Sequence, residues 1–143
     1  MISFLLLVNK QGQTRLSQYY KYLSISERAT LEGELVRKCL GRTESQCSFL
    51  EHQKYKVIYR RYASLYFIIG IEDEDTNELA YLEFIHNLVE TLDKHFENVC
   101  ELDIMFNLEK AHFIIDEMIM NGCIAETNKA IVLGQINALE KAE

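Results

Sequence analysis

Tyr55-Lys56-Val57-Ile58-Tyr59, Arg60-Arg61-Tyr62-Ala63 and Ser64-Leu65-Tyr66-Phe67-Ile68-Ile69-Gly70-Ile71 form the stretch whose reading decides the fold. The outer two runs are rich in β-branched and aromatic residues, which suit a pleated buried surface. The gap between them is too short for a crossover, so they read as an antiparallel hairpin in the middle of a sheet. Arg60 and Arg61 then fall in the turn or at a strand end. Further on, Leu82, Ile85, Val89, Leu92 and Phe96 recur at steps of three and four, the stripe of a helix over 76–96 lying on that sheet.

Upstream, residues 2–8 are apolar at both parities, as in a strand covered on each face. Asn9-Lys10-Gln11-Gly12 is a turn cluster, and 13–23 alternates polar and apolar around Tyr19, Tyr20 and Tyr22, a second strand hairpinned to the first. Ser24-Ile25-Ser26-Glu27 fits a capping box that opens a helix carrying Leu31, Leu35 and Cys39, with Gly41 as its left-handed stop. A third strand is expected over 46–51, and His52-Gln53-Lys54 turns the chain into the central hairpin. Glu72-Asp73-Glu74-Asp75-Thr76-Asn77 is an acidic loop at the start of the next helix, where the macrodipole favours negative charge.

Downstream, 101–121 reads as one helix with the stripe Ile104, Leu108, Ala111, Ile115 and Met118, stopped by Gly122. The weaker pattern Ala130, Leu133, Ile136, Ala138 and Leu139 gives a short last helix over 128–141, placed on a sheet edge or on a partner. The expected fold is α+β, order β-β-α-β-β-β-α-α with that C-terminal helix, as a single domain over 1–143.

With 143 residues, 48% of them hydrophobic and 26% charged, and no proline, the chain is long and apolar enough to bury roughly 70% of its unfolded surface. A net charge of −7 argues against nucleic acid and against direct contact with an acidic membrane surface. Phe4-Leu5-Leu6-Leu7-Val8 lacks the basic flank and cleavage site of a signal peptide, and no apolar run approaches the roughly 20 residues of a membrane span. Cys39, Cys47, Cys100 and Cys123 are scattered without a CxxC pair, as expected of reduced, buried thiols in the cytoplasm.

Chemistry is sparsely marked. His52, His86, His95 and His112 include no HExxH or similar three-ligand set, and the acidic loop lacks the glycine and distal glutamate of a calcium hand, so no metal is expected. Cys100 and the serines sit in no glycine-framed elbow and no phosphate loop is present, so neither an enzyme nor a cofactor is expected. Arg15 and the pair Arg60-Arg61 are isolated positive features of the kind that select a carboxylate-bearing ligand. Tyr19, Tyr20, Tyr59, Tyr62 and Tyr66 suit a sheet whose face meets an obligate protein partner. The residues alone lead to a small α+β interaction domain.

Val8-Asn9-Lys10-Gln11-Gly12-Gln13-Thr14-Arg15-Leu16, Tyr59-Arg60-Arg61-Tyr62-Ala63, Leu82-Glu83-Phe84-Ile85-His86-Asn87 and Asn98-Val99-Cys100-Glu101-Leu102-Asp103 together carry a resemblance over almost the whole chain. The chain resembles the small (sigma) subunits of heterotetrameric clathrin-adaptor-type complexes. Through Gln46-Cys47-Ser48-Phe49, residues 101–110 and Met120-Asn121-Gly122-Cys123-Ile124 it is most similar to the fourth-complex branch. The resemblance implies a longin-like fold, a five-stranded antiparallel sheet sandwiched by helices. It also implies a direct epsilon-type large partner, beta and mu subunits in the same tetramer, and indirect attachment to trans-Golgi and vesicle membranes from the cytoplasm. Cargo sorting in protein transport would follow.

The same resemblance implies pockets for acidic dileucine signals on cargo tails, at Ala63, Leu65, Val89, Asn98, Val99, Leu102 and Ile104, with Arg15 as the contact for the upstream acid. Ile104 stands where a leucine is common in the endocytic relative, and a second arginine of that site would come from a large subunit. Another longin-type trafficking or tethering subunit with a purely structural role is the alternative. It would share the fold but not the Arg15 and Asn98-to-Ile104 motifs.

Overall fold

In a computed structural model, the chain is described over residues 2–42, 48–72, 78–97, 101–120, 123–124 and 129–142. The elements are β1 (Ile2–Asn9), β2 (Thr14–Tyr19), α1 (Ile25–Leu40), β3 (Phe49–His52), β4 (Tyr55–Tyr62), β5 (Leu65–Ile71), α2 (Glu78–Phe96), α3 (Glu101–Phe106), α4 (Leu108–Met118), β6 (Ile119–Met120), β7 (Cys123–Ile124) and α5 (Lys129–Ala142). Strands β1 to β5 form one antiparallel sheet in the order β2-β1-β5-β4-β3. The hairpin that decided the fold therefore supplies the central strand, β5.

Helices cover both faces, as the double-sided apolarity of β1 requires. Phe4, Leu6 and Val8 pack with Leu31, Leu35 and Cys39 of α1, while Leu5 and Leu7 belong to the larger core with α2, α3, α4 and α5. Every residue of β1 is buried. Burial of this order, at roughly 25 cal/mol per Å² of apolar surface, holds the layers together. Where Phe4 crosses Gly70 in the register, the ring occupies the space a Cβ would need. Glycine inside this strand marks that close approach.

At the start of α1, the Glu27 N–H donates to Ser24 Oγ at 3.2 Å, the expected cap. Gly41 differs from expectation. It sits in the right-handed region (φ −76°) and donates its N–H to Arg37 O, so the helix ends without a left-handed residue. Burial drives the Cys39 thiol up to about 12, which keeps it protonated and inert.

Several boundaries move for identifiable reasons. Strand β2 stops at Tyr19, after which the chain turns outward to leave Tyr22 exposed. Strand β3 runs later than expected and includes His52, a buried residue rather than a turn. Its Nδ1 lies 2.9 Å from Lys38 Nζ and its Nε2 2.8 Å from Glu34 Oε2, so α1 clamps the edge strand. Arg60, Arg61 and Tyr62 lie within β4, and the turn is only Ala63-Ser64. The expected 101–121 helix is broken at Asn107 (φ −127°, ψ 47°), which closes α3 by donating to Asp103 O and starts α4 by accepting from the Ala111 N–H. The break leaves Leu108 exposed instead of on the stripe.

Helix α4 ends at Met118 because the chain continues into the small β6–β7 hairpin, which the sequence reading did not anticipate. Helix α5 buries Val132 and Ile136 against α2 and α4, so it is part of the core and not an edge attachment. Gln46, Cys47, the acidic loop 73–77, Cys100, Asn121, Gly122 and the side chains of Cys123, Ala130 and Leu139 lie outside what is described.

At the sheet end formed by the finish of β2 and β5, Glu72 accepts from Lys21 and from Lys54, the latter at 3.0 Å. The bond from Lys21 first, and that from Lys54 next, hold its carboxyl below the usual carboxylate range. A lowered folded-state value adds stability above the unfolded value of about 4.3, and that stability is lost as pH falls through the folded value. These are surface pairs, so Glu72→Gln is expected to cost less than about 1 kcal/mol at pH 7. Thermal unfolding of both chains between pH 7 and 3 checks this, since the gap in Tm should narrow as pH falls; a gap that does not narrow refutes it.

Candidate functional site

The opposite end of the sheet collects most of the residues marked by the sequence. Asn9 at the close of β1 pairs with Leu65 at the opening of β5, Tyr62 pairs with the same Leu65, and Val8 pairs with Thr14. Arg15 and the β4–β5 hairpin are thus held at one end of the sheet by strand register alone.

Arg15 has a particular backbone setting. The β1–β2 register steps from Leu7↔Leu16 to Val8↔Thr14, which leaves Arg15 as the extra residue of a β-bulge. A bulge breaks the alternation of faces and re-aims the side chain it carries. Arg15 Nη2 donates to Gln13 Oε1 at 3.0 Å.

Ala63 is exposed at the hairpin tip with φ 54°, a left-handed conformation that costs a residue with a Cβ on the order of 1–2 kcal/mol. Arg61 Nε donates to its carbonyl at 3.1 Å and helps hold the tip. Leu65 and Ile104 are fully buried, and Val89 is 5% exposed; all three belong to the core shared with α2 and α4. Leu102, by contrast, is 55% exposed on α3, beside exposed Met105 and Phe106. Helix α3 packs against β2, the strand that carries Arg15. Asn98 and Val99 lie outside the described residues.

Between β4 and α2, Val89 lines a cavity of about 140 Å³ whose other walls are Arg60, Tyr62, His86, Glu90 and Asp93. A cavity of roughly 150 Å³ takes one benzene, so this one is of the size of a single branched apolar side chain. His86 Nε2 lies 2.5 Å from Glu90 Oε1, and the Tyr62 hydroxyl is held above its ordinary value by desolvation first and Asp93 next. The rim thus carries two carboxylates against one arginine and a histidine.

Of the other residues weighed as chemistry, Arg61 stacks near Tyr66 (5.8 Å) and His95 packs on Phe96 (4.7 Å). Among the described residues no group of three His, Cys, Asp or Glu side chains is placed to hold a metal ion, and no helix is long and apolar enough to cross a membrane. In sequence Asn9 reads only as part of a turn cluster and Gln13 only as the start of the second strand. Their available signal was an asparagine at a strand end, where its short polar side chain commonly bonds the local backbone.

The whole chain, residues 1–143, matches the family described as clathrin adaptor complex small chain. It is 67% identical to the AP-4 complex subunit sigma of Arabidopsis thaliana, over 99% of this chain and 98% of that one. It is 55% identical to the human AP-4 complex subunit sigma-1, over 99% and 97%. Human AP-1 complex subunit sigma-1A is 50% identical, over 100% of this chain and 88% of that one. In three dimensions it is similar to a chain in a homology model of the full-length AP-3 complex in a stretched open conformation. There the TM-score is 0.79 and the identity 29%, with 99% and 95% covered. The architecture is the longin-like sandwich expected from the sequence.

Proposed function

Because the chain belongs to the clathrin adaptor complex small chain family, we propose that it serves as the sigma subunit of a fourth-type adaptor complex. It is a small subunit of an adaptor complex acting in vesicle trafficking, alongside large and medium subunits, and it is not an enzyme. Beyond that, the proposal is direct attachment to an epsilon-type large subunit, with beta and mu subunits in the same tetramer. The complex works on the cytoplasmic face of the trans-Golgi network and its vesicles, and the sigma subunit helps to bind acidic dileucine signals. Likeness to sigma subunits over nearly the full length of the chain carries this reading.

For the cargo role, the support is geometric. Arg15 sits on a bulge at the same sheet end as Ala63 and Leu65, and α3, which carries exposed Leu102, packs on β2. A carboxylate upstream of two leucines meets its cation at Arg15, whereas the wall beside Val89 carries two carboxylates of its own, Glu90 and Asp93. A purely structural role is favoured by a different observation: Leu65 and Ile104 are fully covered and the cavity at Val89 is small, about 140 Å³.

Two steps test the proposal. Co-purification with the epsilon-type subunit comes first, and failure to assemble sinks that partner assignment. The assembled tetramer is then titrated with an acidic dileucine peptide. Arg15→Ser is expected to weaken binding by roughly ten- to a hundredfold, the scale of a charge-assisted bond. Assembly without peptide binding leaves the structural role.

A further inference from the structure

Asn9 is a polar residue 1% exposed, enclosed at the end of β1. Its Oδ1 accepts the Gln13 backbone N–H at 2.8 Å, and its Nδ2 donates to Gln13 Oε1 at 3.0 Å. The Asn9 backbone N–H donates to Gln13 O at 3.0 Å, so both the main chain and the side chain of Gln13 are bound to one buried residue. Gln13 Oε1 also accepts from Arg15 Nη2 at 3.0 Å. The bonds therefore run in series from the buried end of a central strand, through an exposed glutamine, to the guanidinium of the bulged residue. Gly12 (φ 86°) permits the tight turn that brings Asn9 and Gln13 together, its N–H donating to Asn9 O at 3.1 Å.

Such a series does something a lone surface arginine cannot. A free arginine side chain carries about 2 kcal/mol of rotamer entropy, part of which is lost when it binds a carboxylate. Fixing one nitrogen before the ligand arrives reduces what is lost on binding, which is preorganisation. We infer that Asn9 and Gln13 are positioning residues that hold the Arg15 guanidinium in register for the acidic residue of a peptide signal. This inference rests on the reading of Arg15 as the acid contact. Gln13 supplies a neutral acceptor, so it orients the guanidinium without cancelling its charge.

The test uses the assembled tetramer, titrated with an acidic dileucine peptide and with the same peptide carrying glutamine for its upstream acid. Gln13→Ala is expected to weaken the acidic peptide by about three- to tenfold, the worth of one hydrogen bond, and to leave the neutral peptide unchanged. Gln13→Glu, which places a carboxylate against Arg15, should weaken the acidic peptide more than alanine does. Gln13 is exposed, and co-purification of each variant confirms an intact fold. Equal losses for both peptides, or an Arg15→Ser loss with no effect of Gln13→Ala, overturn the positioning role while leaving Arg15 as the acid contact. A wild-type tetramer that binds neither peptide removes the underlying reading and this inference with it.

Discussion

Gly70→Ala is expected to destabilise the protein by about 3 kcal/mol, the upper range for overpacking a well-filled core. A Cβ at this position lies 2.1 Å from both Cε1 and Cζ of Phe4 and 2.8 Å from its Cδ1. The ring has little freedom to move. Phe4 is fully buried, with Tyr55 edge-on at 5.2 Å and Tyr19 at 6.1 Å, so relief must come from displacement of β1 or β5. The urea midpoint measures the cost. Combining the substitution with Phe4→Leu should recover part of it, since the two residues share one space and their effects are not additive. A Gly70→Ala chain with a wild-type midpoint would show that the strands separate more easily than this packing implies.

Val89→Asp is expected to be comparably severe, and for a reason that alters its use as a probe. Val89 lies in the core with Leu65, Phe84, Ile85 and Ile104, and an unpaired carboxylate there costs about 3–5 kcal/mol unless it takes up a proton. The variant should therefore lose assembly and soluble yield together with any peptide binding. Leu102→Ser, at a half-exposed position, should leave the unfolding midpoint within about 0.5 kcal/mol of wild type, so a binding loss there is interpretable. Co-purification yields of the two variants decide the matter: a Val89→Asp chain that assembles normally would show that the cavity wall beside Arg60 accommodates the new carboxylate.

The central layers were legible in the sequence because their signals are redundant. Strand β1 is apolar at both parities, β4 and β5 are β-branched and aromatic, and the α2 stripe repeats without interruption; its Ile85, Val89 and Leu92 are buried as expected. What escaped was set by single residues and by tertiary contact. Asn107 interrupts a helical pattern that periodicity alone carries straight through, since asparagine serves a helix interior poorly and a helix start well. Arg60 and Arg61 read as turn residues because a charge usually marks a loop, yet the strand continues through them while their side chains reach solvent.

At the site, residue identity was readable but accessibility was not. Leu65, Leu102 and Ile104 look alike in sequence, and only packing separates two core residues from an exposed one. The bulge at Arg15 is likewise a property of register, which emerges only when two strands are laid side by side.

The sheet order has a consequence for how the chain is made. Strand β1 leaves the ribosome well before its partner β5, which follows 56 positions behind at the Asn9↔Leu65 pair and 69 behind at Ile2↔Ile71. At about 5–20 residues per second, that interval lasts roughly 3 to 14 seconds. During it the apolar run Phe4-Leu5-Leu6-Leu7-Val8 can pair with β2 and be covered on one face by α1, but the edge that β5 will fill stays open. The slow arrival of β5 therefore makes β1 the strand most exposed to mispairing before the sheet is complete.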